Sequence, residues 1–200
     1  MMRVVLIDSG GANIGSVLYA LERLGVDAAL SAEAETILAA DKVILPGVGA
    51  AGAAMARLRA HGLVEVVRSL PQPLLGICLG MQLLYESSEE GDVECLGRIP
   101  GRVRRMEGGE GLRIPHMGWN TLDIARASPL LQGVAPGQHA YFVHGFAAPV
   151  GPDSLATSTH GQPFTAVAGR GSCFGAQFHP ERSAGVGARI LENFIALEAT

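Results

Sequence analysis

The chain has 200 residues, 48% of them hydrophobic, a formal net charge of -4 and three cysteines. That length suits a single domain, 1–200, which can bury a sizeable core without metal or disulfide support. Apolar runs well short of a membrane span exclude a membrane protein, dispersed basic residues give no footprint for nucleic acid, and an odd cysteine count in so long a chain points to a reducing compartment, the cytoplasm.

The opening MMRVVLIDSGG lacks the small-residue cleavage site of a secretory leader and predicts a first strand at 4–7. Asn13 is placed to cap a helix whose buried stripe is Ile14, Val17, Leu18, Leu21 and Leu24, and Gly25 stops it. A second strand is expected at 26–30, a short helix at 33–40 and a third strand at 42–45, ending at Pro46. Helices follow at 51–60, with Met55 and Leu58 inward, and at 63–70, before a strand at 74–77. Strands alternating with helices of this length imply βαβ units. Beyond residue 90 the pattern changes: a β piece at 102–106, a turn at EGGEG (107–111), and short runs at 141–143, 164–167 and 173–178 that read as antiparallel additions. A closing helix at 188–197 buries Ile190, Leu191, Phe194 and Ile195. The expected fold class is α/β, an open, mostly parallel sheet with helices on both faces and antiparallel strand additions in the C-terminal half.

The strand at 74–77 turns directly into helical spacing at Cys78. Gly76 and Gly80 flank the bend, giving G-x-C-x-G, the thiol form of a nucleophile elbow. A thiol alone is weak chemistry near neutral pH, so a base and a group to orient it are needed. Of the six histidines, His179 in QFHPER is best placed: it follows an apolar run, and in extended backbone Glu181, two positions on, faces the same way. Cys95 and Cys173 read as packing. An oxyanion hole could use the N–H of Leu79 and a peptide at Val48 and Gly49 in the loop PGVGA (46–50). A phosphate cradle is the rival reading of that loop, disfavoured because no P-loop lysine follows.

Taken together, PGVGA (46–50), GICLGMQ (76–82) and FHPE (178–181) resemble the class I (triad) glutamine amidotransferase family. The resemblance implies a flavodoxin-like sheet, no cofactor, no metal, and a glutaminase: Cys78 attacks the carboxamide of glutamine, His179 moves the proton, Glu181 orients His179, and a γ-glutamyl thioester is hydrolysed to glutamate. Gly47, Gln82, and Gly145 and Phe146 of VHGF match positions that hold the substrate.

Within the family, PHMGWN (115–120), YFVH (141–144) and D-x-G-x-x-N-x-x-S (8–16) are similar to subunits that pass ammonia through a tunnel to a (β/α)8-barrel cyclase in histidine biosynthesis, forming a heterodimer. Asn13, His116, Met117, Trp119, Asn120, Tyr141 and Arg182 are then expected at the partner surface. Relatives tend to carry Gly before the Asn, where this chain has Ala12. Such subunits hydrolyse glutamine poorly until the partner binds, with control in the PGVG loop. The competing readings are a glutaminase feeding another synthase, such as anthranilate synthase, a redox-sensing elbow-cysteine protein, and a silent binding subunit.

Overall fold

The computed structural model describes residues 2–10 and 13–198, so the Ala12 departure lies outside the described residues. Strand and helix alternate through β1 (Val4–Ile7), α1 (Ile14–Arg23), β2 (Ala28–Ser31), α2 (Ala34–Leu38), β3 (Lys42–Leu45), α3 (Ala51–Ala60), α4 (Leu63–Ser69), β4 (Leu74–Ile77) and α5 (Leu79–Leu83). The rest is mainly β: β5 (Tyr85–Ser88), β6 (Val93–Glu94), β7 (Ile99–Arg105), β8 (His116–Thr121), β9 (Asp123–Ile124), β10 (His139–His144), β11 (Phe146–Ala147), β12 (Ser154–His160), β13 (Gln162–Arg170) and β14 (Cys173–Ala176), closed by α6 (Ala184–Ala196).

The main sheet has the order β2-β1-β3-β4-β14-β13-β12-β9. From β2 to β14 every pairing is parallel, and β13, β12 and β9 continue it antiparallel. The parallel part has the doubly wound order in which ligands bind beyond the carboxyl ends of the strands. β8 and β10 form a separate antiparallel ribbon, and β11-β7-β5-β6 a small second sheet. The expectation of an antiparallel addition at 173–178 holds on one edge only. The turn at 171–172 reverses the chain, so β14 is antiparallel to β13, while its other edge pairs parallel with β4.

β1, β3 and β4 are buried along their whole length because the sheet is covered on both sides. Alternate side chains enter two cores. Val4, Leu6, Ile44, Leu75 and Ile77 meet Val17 and Leu21 of α1 and Ile190, Leu191 and Phe194 of α6. Val5, Ile7, Val43, Leu45 and Leu74 meet Met55 and Leu58 of α3, Val67 of α4 and Met81 of α5. Several boundaries shift by a few residues: β2 spans Ala28–Ser31 rather than 26–30, and α2 spans Ala34–Leu38 rather than 33–40. Asn13 does not cap α1 through its side chain, since it sits at φ 87° and its amide is used elsewhere. α6 starts at Ala184, ahead of the predicted 188, although its first turn carries Gly185 and Gly187, poor helix formers. A Cβ on Gly187 would lie 1.8 Å from the Pro180 carbonyl oxygen, so the glycine lets the helix start pack on that turn.

The elbow depends on one close approach. A Cβ on Gly80 would lie 1.8 Å from the Leu45 carbonyl oxygen, and one on Gly76 would lie 2.6 Å from Met81 N, so α5 rests directly on the end of β3 and on its own strand. Gly80→Ala is expected to destabilise the protein by about 3 kcal/mol or more, because the obstructing atom is backbone and cannot swing aside. Urea unfolding measures this, and a loss below about 1 kcal/mol would show that α5 lifts off β3 without penalty.

Candidate functional site

Cys78 takes φ 52° and ψ -110°, a conformation a non-glycine residue holds only under constraint from its surroundings. Its N–H donates to the Ala176 carbonyl (2.8 Å) and its carbonyl accepts from Gln82 N (3.2 Å), so β14 and the first turn of α5 clamp the residue from both sides. The thiol faces a cavity of about 200 Å³ bounded by Val48, Gly49, Leu79, Gln82, Glu90, Val143 to Phe146 and His179. A larger groove, about 920 Å³, runs beside β1 and α2, but it is lined by Met2, Val4, Val26, Ala29 and their neighbours and brings no nucleophile near a base. The thiol site is therefore the candidate site.

His179 leaves β14 in extended backbone, and Pro180 then opens a 3-10 turn, Pro180–Arg182. The extended reading of this segment is thus corrected: the turn, not strand alternation, brings Glu181 back to the ring. His179 Nδ1 meets Glu181 Oε1 at 2.8 Å, and Asn13 Nδ2 donates to the same oxygen at 2.6 Å. The Glu181 side chain is wholly buried. Burial works against charge on His179, but hydrogen bonding to Cys78 and Glu181 outweighs it and pushes the ring's pKa up to about 10. Backbone contacts hold this turn. His179 N donates to the Tyr141 carbonyl (3.0 Å), while Ser183 Oγ accepts from Tyr141 N (2.9 Å) and donates to the His179 carbonyl (2.7 Å).

The candidate oxyanion donors lie beside the thiol. Leu79 is the first residue of α5, where a helix N–H has no intrahelical acceptor. Val48 and Gly49 line the opposite wall, and Gly49 holds φ 95° with open space around it, which leaves that peptide room to turn. Gly47 is not on the cavity wall. A Cβ there would lie 2.8 Å from Gly80 N, so the missing side chain lets the loop pack onto α5. Gln82 is buried and donates to the Phe146 carbonyl (2.8 Å) and to Gln177 Oε1 (3.1 Å), while Gln177 Nε2 approaches Cys78 Sγ at 3.8 Å. Gly145 and Phe146 form the far wall, with the Gly145 carbonyl accepting from Met106 N (2.9 Å).

Two cavity residues were not singled out from the sequence. Glu90 places a carboxylate on the wall and accepts from Ala51 N at 2.7 Å. The signal for it was the acidic pair at 89–90 soon after the elbow helix. His144 is buried and donates or accepts only within the fold, as described below. Cys95 and Cys173 are buried and free, and burial pushes their thiols up to about 11 and 12, consistent with packing roles.

The expected partner surface divides. Strand alternation along β8 puts Met117 and Trp119 outward, 65% and 53% exposed, and turns His116 inward at 4%. His116 is therefore removed from the exposed set. Tyr141, opposite Trp119 in the ribbon, packs its ring edge-on at 5.8 Å, and Arg182 is exposed on the turn that follows His179, whose N–H donates to the Tyr141 carbonyl. Asn120 Nδ2 donates to the Thr159 carbonyl (2.8 Å) and Asn13 is held by Glu181, so both amides are engaged within the chain.

The family model described as Glutamine amidotransferase class-I matches residues 5–197. The imidazole glycerol phosphate synthase subunit HisH of Xanthomonas axonopodis pv. citri is 63% identical over 197 residues, covering 98% of each chain. The subunit of the same name from Xanthomonas euvesicatoria pv. vesicatoria is 61% identical over 197 residues, again with 98% of each chain covered. A solved glutamine amidotransferase shares the fold, with a TM-score of 0.74 at 20% identity over 96% of both chains. With the family model spanning nearly the whole chain, and thiol, imidazole and carboxylate gathered at one end of a doubly wound sheet, this chain belongs to the class I glutamine amidotransferase family.

Proposed function

We propose that the chain is the glutaminase subunit of imidazole glycerol phosphate synthase in histidine biosynthesis, acting through a Cys78-His179-Glu181 triad. The observation that carries the triad is the His179 ring held by Glu181 at 2.8 Å while it shares one cavity with the Cys78 sulfur. The full-length likeness to subunits named HisH supports the pathway.

The steps follow from these positions. Glutamine enters with its carboxamide at Cys78, and its amino-acid end lies against Gly145, Phe146 and Gln82. The Glu90 carboxylate pairs with its ammonium. The sulfur attacks the carboxamide carbon, and the negative charge that develops on oxygen is met by the N–H of Leu79 and, once the Val48–Gly49 peptide turns, by a second donor. The proton on His179 goes to the departing nitrogen, and ammonia leaves a γ-glutamyl thioester. Neutral His179 then takes a proton from water, whose oxygen attacks the thioester, and glutamate is released with the sulfur restored. Glu181 and Asn13 keep the imidazole aimed.

Ammonia passes to a partner cyclase, a (β/α)8 barrel, which uses it to form imidazole glycerol phosphate and AICAR. The exposed Met117 and Trp119, with the half-buried Tyr141 and the exposed Arg182, form the part of the docking surface that the ribbon and its neighbouring turn supply; exposed apolar side chains together mark interaction sites. The partner tunes the reaction by biasing the Val48–Gly49 peptide. Free buried cysteines and a net charge of -4 accord with a cytoplasmic enzyme that binds neither nucleic acid nor membrane. Among the described residues no helix is long and apolar enough to cross a membrane.

Three measurements test this reading. Cys78→Ala should abolish synthase activity from glutamine while leaving activity from added ammonia within about twofold, because only the first half-reaction uses the sulfur; retained glutamine-dependent activity would sink the triad. The glutaminase rate should rise at least about tenfold when the cyclase and its ribonucleotide ligand are added, and equal rates would remove the switch at Val48–Gly49. Finally, the folded pKa of His179 lies above its unfolded value of about 6.5. The folded state thus holds the extra proton between about pH 6.5 and 10, and its stabilisation is full below that window and lost as pH rises through it. Urea unfolding across that range should show a decline that is absent in His179→Asn.

A further inference from the structure

We propose that His116 and His144 are positioning residues for the glutaminase reaction: a one-way hydrogen-bonded pair that fixes the Gly145–Phe146 backbone against the amino-acid end of the substrate. This rests on the glutaminase reading above. Both side chains lie on the inner face of the β8/β10 ribbon, directly opposite each other in the ladder. His144 also borders the thiol cavity.

The direction of the pair is set by one acceptor. His144 Nδ1 lies 2.9 Å from the Phe146 carbonyl, which can only accept, so Nδ1 carries the hydrogen. Burial pulls the His144 ring down to about 3 and, with the nearby His160, pulls His116 down to about 4. Each ring is accordingly neutral at pH 7 with a single N–H. His144 Nε2 is then a lone pair, and His116 Nδ1, 3.4 Å away, donates to it. His116 Nε2 in turn accepts from Asn120 Nδ2 at 3.4 Å. Aromatic contacts hold the planes: His116 stacks on His160 (centroids 4.1 Å apart, 18° between planes) and on Phe142 (5.1 Å, 22°), and His144 meets the edge of Phe164 at 4.9 Å.

At the other end, the Phe146 carbonyl accepts a second hydrogen bond from Gln82 Nε2 at 2.8 Å. Two donors from different elements, β10 and α5, converge on one oxygen and hold that peptide plane. A grip on the substrate that is equally strong in ground state and transition state shows its loss in KM with kcat unchanged, and that is the role assigned to this peptide.

Two experiments test the assignment in the chain as it exists with its partner cyclase. The first is a proton–nitrogen NMR spectrum of the wild-type complex labelled at histidine, at pH 7. Both His116 and His144 should be in the Nδ1–H form, and an Nε2–H form of His144 would overturn the proposal even if glutamine were not the substrate. The second is kinetic. His144→Phe should raise KM for glutamine about tenfold with kcat changed less than about threefold, and His144→Asn, whose amide nitrogen takes the place of Nδ1, should return KM to within about threefold of wild type. His116→Phe should raise KM by a smaller factor than His144→Phe. A fall in kcat with KM unchanged, or equal damage from Phe and Asn at position 144, would overturn it. Should the wild-type complex hydrolyse no glutamine at all, the proposed function fails, and the NMR result still decides the hydrogen-bond direction.

Discussion

The contact between the first turn of α5 and the end of β3 organises the rest of the molecule. With no Cβ at Gly80, the helix sits on the Leu45 carbonyl, and the chain between β4 and α5 has only a sharp bend in which to make the turn. Cys78 occupies that bend at φ 52°. The strained backbone is held by β14 on one side, through Ala176, and by the helical turn on the other. The same approach brings the loop after β3 within reach of the helix start, so the nucleophile and the wall opposite it are positioned by one packing event.

The polar groups around the thiol are held in the same way, by partners from separate elements. Glu181 Oε1 receives Asn13 from the start of α1 and His179 from the end of β14. The Phe146 carbonyl receives Gln82 from α5 and His144 from β10. Ser183 joins the β10 backbone to the carbonyl of His179. Each of these oxygens is buried or nearly so, and in a low-dielectric interior a misplaced partner costs far more than it does in water. The loop after β3 contrasts with these restrained groups: a side chain at Gly49 would meet nothing within 4 Å.

How much of this was legible beforehand follows from the range of the forces involved. β1, β3, β4 and α3 could be bounded to the residue because their apolar runs end at Gly, Pro or charge within the chain itself. The elbow was readable because glycine spacing reports local crowding. His179 and Glu181 were identified, though the mechanism of their approach was a proline-led turn. Asn13 occupies the N-cap position of α1, but its side chain serves a partner 168 positions away rather than the helix. The inward face of β8 and the roles of Glu90 and His144 escaped for the same reason: a two-stranded ribbon and a cavity wall are assembled from segments that carry no mutual signal in sequence. The direction of β14 could not be read from its composition, since a buried strand looks the same whichever way its neighbours run.

The parallel pairing of β14 with β4 has a consequence for synthesis. Cys78 follows β4 directly, while His179 follows β14, the strand that fills the adjacent slot and is made much later in the chain. A nascent chain on the ribosome thus holds a lone thiol with no base beside it. Thiol and imidazole meet only once β14 has taken its place between β4 and β13.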